Sequence, residues 1–308
     1  MDNLTHSLIG ATLGQAGLKR KTGLAMPALI IGANLPDIDA VTVVYGIESL
    51  AMRRGITHGP IAMVVLPVLL ALGLRWFDTW QARRGTRPEA RAPVHFGWLL
   101  ALSFIACLTH PLFDWFNNYG VRLLEPFSSR WFYGDTLFII DPWIIAMLGA
   151  GVWWSLRRER AGKQRWPWPC TGALGATAVY VLLNMAISQI ATARVADGVP
   201  FATTNVANAV PVAFWRREVL WRSSDGYYGT MDCAIRGCRY SATEIRKINM
   251  VDPWIDTLAK WDPAAHAFLF WSRMPVAELH DDRIVLRDQR FLDPRVADQF
   301  SVTLRRPK

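Results

Sequence analysis

Residues 96–120 read FGWLLALSFIACLTHPLFDWFNNYG. The run is long and apolar enough to approach the ~20 residues that cross a bilayer, yet it closes on His110, Asp114, Asn117 and Asn118. Polar groups at such a depth are costly unless they are paired or bound to a metal. The stretch therefore predicts a membrane helix whose last turn is held by something.

Composition sets the same scene for the rest of the chain. Its 308 residues are 52% hydrophobic, include 15 Trp and have a mean hydropathy of +0.15, which is too apolar for an ordinary soluble globule of this size. The net charge of +9 does not mark a nucleic-acid partner, because the basic residues fall in short runs between apolar segments. The four cysteines include no CxxC pair, which argues against a zinc ribbon or a thioredoxin-like site. The N-terminus MDNLTHSLIG lacks the basic region of a cleavable signal peptide, so the apolar segments are expected to stay in the mature chain.

The fold class expected is mainly α, a polytopic helical membrane domain followed by a small soluble α+β domain. About six membrane-compatible segments are readable, near 4–18, 24–45, 59–76, 95–117, 136–155 and 168–193. The first is short and carries Gly10, Gly14 and Gly17, spacings that let another helix approach closely. After Arg194 the pattern changes to short alternating stretches such as EVLWRSSDGYYGTMDC, which read as strands and turns. The boundary expected is 1–195 for the membrane domain and 196–308 for the soluble one.

Orientation follows from the positive-inside rule. Residues 19–21, the loop from Arg75 to Arg91 and residues 157–165 hold 13 Lys and Arg, against five on the alternate side at Arg53, Arg54, Arg122, Arg130 and Arg194. The first group is expected in the cytoplasm and the C-terminal domain on the outer, periplasmic side of a bacterial inner membrane. On that map His6, Asp37, Asp39, His58, His110, Asp114, Asp135 and Asp141 all fall at the outer ends of their segments. Lys and Arg alone set the topology, so this convergence of His and Asp is independent of it.

Imidazole and carboxylate are the ligands of Zn²⁺, and also of Mn²⁺ or Fe²⁺. His110 and Asp114 are four apart and share one helix face. NLPDID places Asp37 and Asp39 after a proline bend, and His58 stands before Gly59-Pro60. Each piece has a plainer reading: an interfacial histidine at His6, a helix stop at PDID, a C-cap and turn at Asn117, Asn118 and Tyr119. His95, His266 and His280 lie away from the outer ends and read as structure or surface. Arg53 and Arg54 are a solvated loop or a grip for a substrate phosphate. Cys233 and Cys238, separated by AIRG, are expected to pair in an oxidising compartment.

As a set, TH near the N-terminus, PDID, RGITHGP, HPLFDWFNNYG and GDTLFIIDPW resemble, over about residues 1–155, the YdjM-like family of inner-membrane proteins. The resemblance implies a membrane-bound metal-dependent hydrolase. By position it supports His6, Asp37, Asp39, His58, His110 and Asp114 as metal-site residues, with one or two divalent ions, Zn first among them. A more distant likeness to zinc-dependent phospholipase C and S1-type nucleases implies phosphoester hydrolysis by analogy, although the full ligand set of a three-zinc site is missing. Asp39 or Asp135, whichever does not ligate, is the expected general base, and Arg53, Arg54 and Asn118 the expected substrate contacts. Phe127, Trp131, Phe132 and Tyr133 favour the headgroup level, so the expected partner is a lipid or lipid-linked phosphoester, with the oligomeric state unassigned. Two rivals belong to other classes. An ion or proton transporter needs polar groups toward both faces, and the cytoplasmic halves are nearly bare of them. A non-catalytic assembly protein would use the metal only to lock its helices.

Overall fold

The computed structural model describes residues 1–241 and 245–306. The first compact unit comprises Met1–Ile38 and Arg54–Met185; the second comprises Asp39–Arg53 and Ala186–Lys308.

In the first unit, α1 (Asn3–Gln15) starts at Asp2, whose carboxylate accepts hydrogen bonds from the backbone N–H of Leu4 and Thr5. Its small residues bring it against α2 (Ala25–Asn34): a Cβ added at Gly10 would stand 2.4 Å from the Leu29 carbonyl oxygen. Beyond α2 the chain winds in 3₁₀ turns over Leu35–Glu48, broken by positive-φ Gly46, and then forms the single turn α3 (Ser49–Met52) of the second unit. Helix α4 (Pro60–Arg83) opens with proline in its first turn, where no N–H is needed. Helix α5 (Phe96–Trp115) packs on both α2 and α4. Helix α6 (Pro142–Arg160) is capped by Asp141 and packs on α1.

Helix α7 (Trp168–Gly198) runs from the first unit into the second. There its end meets an antiparallel sheet of β1 (Ala202–Ala209), β2 (Arg216–Ser223), β3 (Tyr227–Ala234) and β4 (Gly237–Tyr240), with β5 (Arg246–Lys247) also on β3. Ala191 and Val195 of the helix, and Val199 just after it, are buried with Val219, Trp221 and Met231 of the sheet. Two short helices follow, α8 (Pro253–Ala259) and α9 (Pro263–Trp271). A second antiparallel sheet, β6 (Pro275–Leu279), β7 (Arg283–Asp288) and β8 (Ser301–Arg305), completes an α+β unit. Cys233 and Cys238 face each other across β3 and β4 and form the expected disulfide, while Cys107 and Cys170 are free and buried.

Four stretches among the described residues are long and apolar enough to cross a membrane: Ala25–Met52, Pro60–Arg83, Phe96–Trp115 and Trp168–Gly198. Six segments were expected, and two of them fall short for identifiable reasons. The 13 residues of α1 rise only about 20 Å. The 19 residues of α6 close on Arg157, Arg158, Glu159 and Arg160, which leaves too short an uncharged stretch.

Candidate metal centre

The site is built where α5 ends. Its i, i+4 pair, His110 and Asp114, is fully buried on the face toward α2. There the Ala33 carbonyl oxygen, freed at the end of α2, accepts a 2.7 Å hydrogen bond from His110 Nδ1. This bond fixes the ring so that Nε2 points inward, the backbone-supported orientation that suits a metal-ligating histidine. Asp37 enters from the 3₁₀ turn after Pro36, with Oδ1 3.6 Å from His110 Nε2. His58 enters from the turn Ile56–His58 before Gly59, with Nε2 3.4 Å from Asp114 Oδ2, and its Nδ1 lies 2.9 Å from Thr57 Oγ1. His110 Nε2 lies 3.6 Å from the same Oδ2.

One donor atom from each of Asp37, His58, His110 and Asp114 lies within 4.8 Å of every other, and all four side chains are buried. Donors bound at about 2.0–2.2 Å around a tetrahedral ion lie about 3.3–3.6 Å apart, close to the spacings found here. His110 Nε2 has no hydrogen-bond partner of its own, although it is sealed from water. The four residues fit a divalent cation: their donors converge, their spacing suits coordination, and His110 Nε2 is buried with no other hydrogen-bond partner.

The other expected site residues occupy different positions. His6 is buried beside the four, its ring stacked on His110 at 3.8 Å and its Nε2 3.3 Å from Asp114 Oδ1. Asp39 is buried but outside the four-donor group and belongs to the second unit. With about three residues per 3₁₀ turn, positions two apart point to different sides, so Asp37 and Asp39 diverge. Asp135 is half-buried in a turn that packs on the end of α5, where Thr136 N and Leu137 N donate to the Phe116 carbonyl oxygen. Asn118 is half-buried beside Asn117, and Arg53 closes the Asp39–Arg53 segment of the second unit.

Arg54 departs most from its sequence reading. It is 3% exposed, and its Nε lies 3.0 Å from Asp114 Oδ2. Its Nη1 donates to Asn117 Oδ1 at 3.1 Å, and its guanidinium lies over the Tyr119 ring at 4.7 Å. The Met1 amine adds a further buried contact to Asp114 Oδ1. Sequence reasoning did not find these partners. Its one signal was NNYG at 117–120, where Asn117 Oδ1 also accepts from Tyr119 N and forms the turn that wraps the arginine.

The fold and the site together define a helical membrane protein with a buried, metal-competent centre of histidine and aspartate. The chain belongs to the YdjM inner membrane protein family, whose model matches residues 1–193. It is also similar to uncharacterized protein YfhP of Bacillus subtilis (strain 168), with 31% identity over 170 residues, covering 50% of this chain and 47% of that protein. The chain thus spans about half the length of that relative. No solved structure matches it, and the more distant likeness to phospholipase C and S1-type nucleases finds no support in these comparisons.

Proposed function

We propose that this chain is a metal-dependent hydrolase of the inner membrane. Its substrate is a phosphoester bond in a lipid or lipid-linked molecule at the outer leaflet, and its C-terminal unit lies on the outer side. The carrying observation is the donor set. Asp37, His58, His110 and Asp114 offer only nitrogen and oxygen. Closed structural zinc sites are dominated by thiolates, whereas hydrolytic sites are built from histidine and carboxylate. When bound there, a divalent ion lowers the pKa of water from ~15.7 toward ~7 and polarises the phosphoryl oxygen under attack.

The chain's own residues supply the rest. Arg54 orients Asp114 and offsets its charge, which makes it a positioning residue. Within the first unit, the grip on phosphate falls to Asn118. Asp135 is the favoured base over Asp39, because its turn packs on the helix end that carries Asp114. The aromatic stretch from Phe127 to Tyr133 suits a substrate presented at the headgroup level.

One observation favours a second reading, a metal that only locks the helices: all four donors are buried, and four complete a tetrahedral shell. Turnover of a generic phosphodiester by the purified protein, with and without chelator, separates the two. Chelator-sensitive hydrolysis supports the enzyme. Bound metal without hydrolysis supports the lock.

A further inference from the structure

Helix α7 is longer than a bilayer is thick. Its 31 residues rise about 46 Å, against a hydrocarbon core of about 30 Å. The surplus lies at the C-terminal end. Exposed apolar side chains continue through Val179, Leu182 and Leu183 to Ile190, and the first charge in the helix is Arg194. Already before Arg194 the sheet sheathes one face of the helix: Ala191 is buried against it, and the fully buried Arg217 donates from Nε to Ser188 Oγ at 2.8 Å. A helix end covered by strands and hydrogen-bonded to an arginine is outside hydrocarbon. The headgroup level therefore falls near residues 187–190, where the sheet begins to cover the helix.

After α7 the chain reverses, and β1 runs back along the helix. Antiparallel order then puts two hairpin loops at the returning end of the sheet: residues 210–215 between β1 and β2, and Ile235–Arg236 between β3 and β4. The pairing of Arg216 with Ala234 sets the loops side by side. Ile187, Ile190 and Arg194 line one small cavity with Trp215 and Ile235, so this end of the sheet stands at the level where α7 leaves the bilayer. Arg194 Nη1 fastens it by donating to the carbonyl oxygens of Ala234 and Ile235, each at 3.1 Å.

The loop tips are apolar and open. Val212 is 58% exposed, Trp215 41% and Ile235 72%, and Arg216 and Arg236 are exposed beside them. The Cys233–Cys238 disulfide closes the turn that presents Ile235. We propose that this end of the sheet is a foot seated in the leaflet from which α7 emerges, with Val212, Trp215 and Ile235 in the interfacial layer and the arginines on lipid phosphates. The continuity of α7 with the bilayer fixes the level, and the pairing of apolar tips with cations matches an anionic headgroup layer. The disulfide then has a role: it holds the inserted turn in shape.

A photoreactive benzophenone amino acid placed singly at Val212, Ile235 and Asp225 tests the foot in the full chain. Asp225 lies in the turn between β2 and β3, at the opposite end of the sheet. The protein is reconstituted in bilayer discs of phosphatidylethanolamine and phosphatidylglycerol, irradiated, and its adducts weighed by mass spectrometry. Lipid adducts at 212 and 235, with none above background at 225, are expected. Adducts to protein in place of lipid at 235, no adduct at either loop, or equal lipid labelling at 225 would overturn the proposal.

Discussion

Asp114 has two oxygens, and each faces a different set of partners. Oδ1 meets the Met1 amine and His6, while Oδ2 meets Arg54, His58 and His110. A buried carboxylate so placed holds the centre together, and its environment yields two expectations. His58→Ala and His110→Ala each remove a donor, so metal affinity should fall by at least the ~10–100-fold seen when supporting groups are lost. His266→Ala, in α9, should leave metal content unchanged; equal content in all three variants, measured by elemental analysis, would contradict the assignment. Arg54→Met leaves Asp114 without its guanidinium, and breaking a buried pair costs about 3–5 kcal/mol. A bound cation replaces part of the lost charge, so added Zn²⁺ should raise the melting temperature more in this variant than in the parent protein. Equal shifts would show that Arg54 and the ion do not share Asp114.

The His110–Asp114 pair was legible in the sequence because helical periodicity alone puts positions four apart on one face. Arg54 was not, because its partners at Asn117 and Tyr119 come from a turn more than 60 residues away. Asp37 and Asp39 looked equivalent in PDID, and only the 3₁₀ winding of Leu35–Glu48 separates them.

At the scale of elements, small residues decide how closely helices approach. Gly10 of α1 meets the Leu29 backbone, so Gly10→Ala forces the two helices apart at a cost of about 1–3 kcal/mol. Gly149, within α6, has nothing within 4 Å of an added Cβ. Gly149→Ala should therefore be neutral or stabilise by about 0.5–1 kcal/mol. Thermal melts of the two variants check the pair, and a Gly10→Ala protein as stable as Gly149→Ala would rule out the close contact. Gly10 and Gly14 pointed to this packing in advance, whereas Gly17 lies beyond the end of α1 and has nothing within 4 Å of an added Cβ. What apolar length could not show is where helices stop being membrane spans. The charged last turn of α6 was readable at residues 157–160, but the sheathed end of α7 depends on context that a window of hydropathy does not contain.

At the scale of the whole molecule, each unit carries its own prediction. In the second, burial alone would raise the pKa of the Asp288 carboxyl, but Arg290 at 2.8 Å and the Ser272 hydroxyl outweigh it and hold the value at about 2. An unfolded aspartate titrates near ~3.9, so the carboxylate contributes about 2 kcal/mol of stability above that pH. The contribution is lost as pH falls from about 4 toward 2. Acid titration of the protein, followed by tryptophan fluorescence, should show the second unit loosening in that window. Asp288→Asn should flatten the pH dependence there while lowering stability at neutral pH, where Arg290 is left buried without its partner. An unchanged acid profile would remove Asp288 from the balance.

The first unit holds the candidate metal centre. The most direct test of its proposed function is the divalent metal content of the purified protein, measured together with its turnover of a generic phosphodiester before and after chelation. The structure leads us to expect one or two equivalents of tightly held metal, with hydrolysis that chelator abolishes and added metal restores. A protein that folds and inserts without metal, or that hydrolyses the ester equally well after its metal is stripped, would contradict a metal-dependent centre at Asp37, His58, His110 and Asp114.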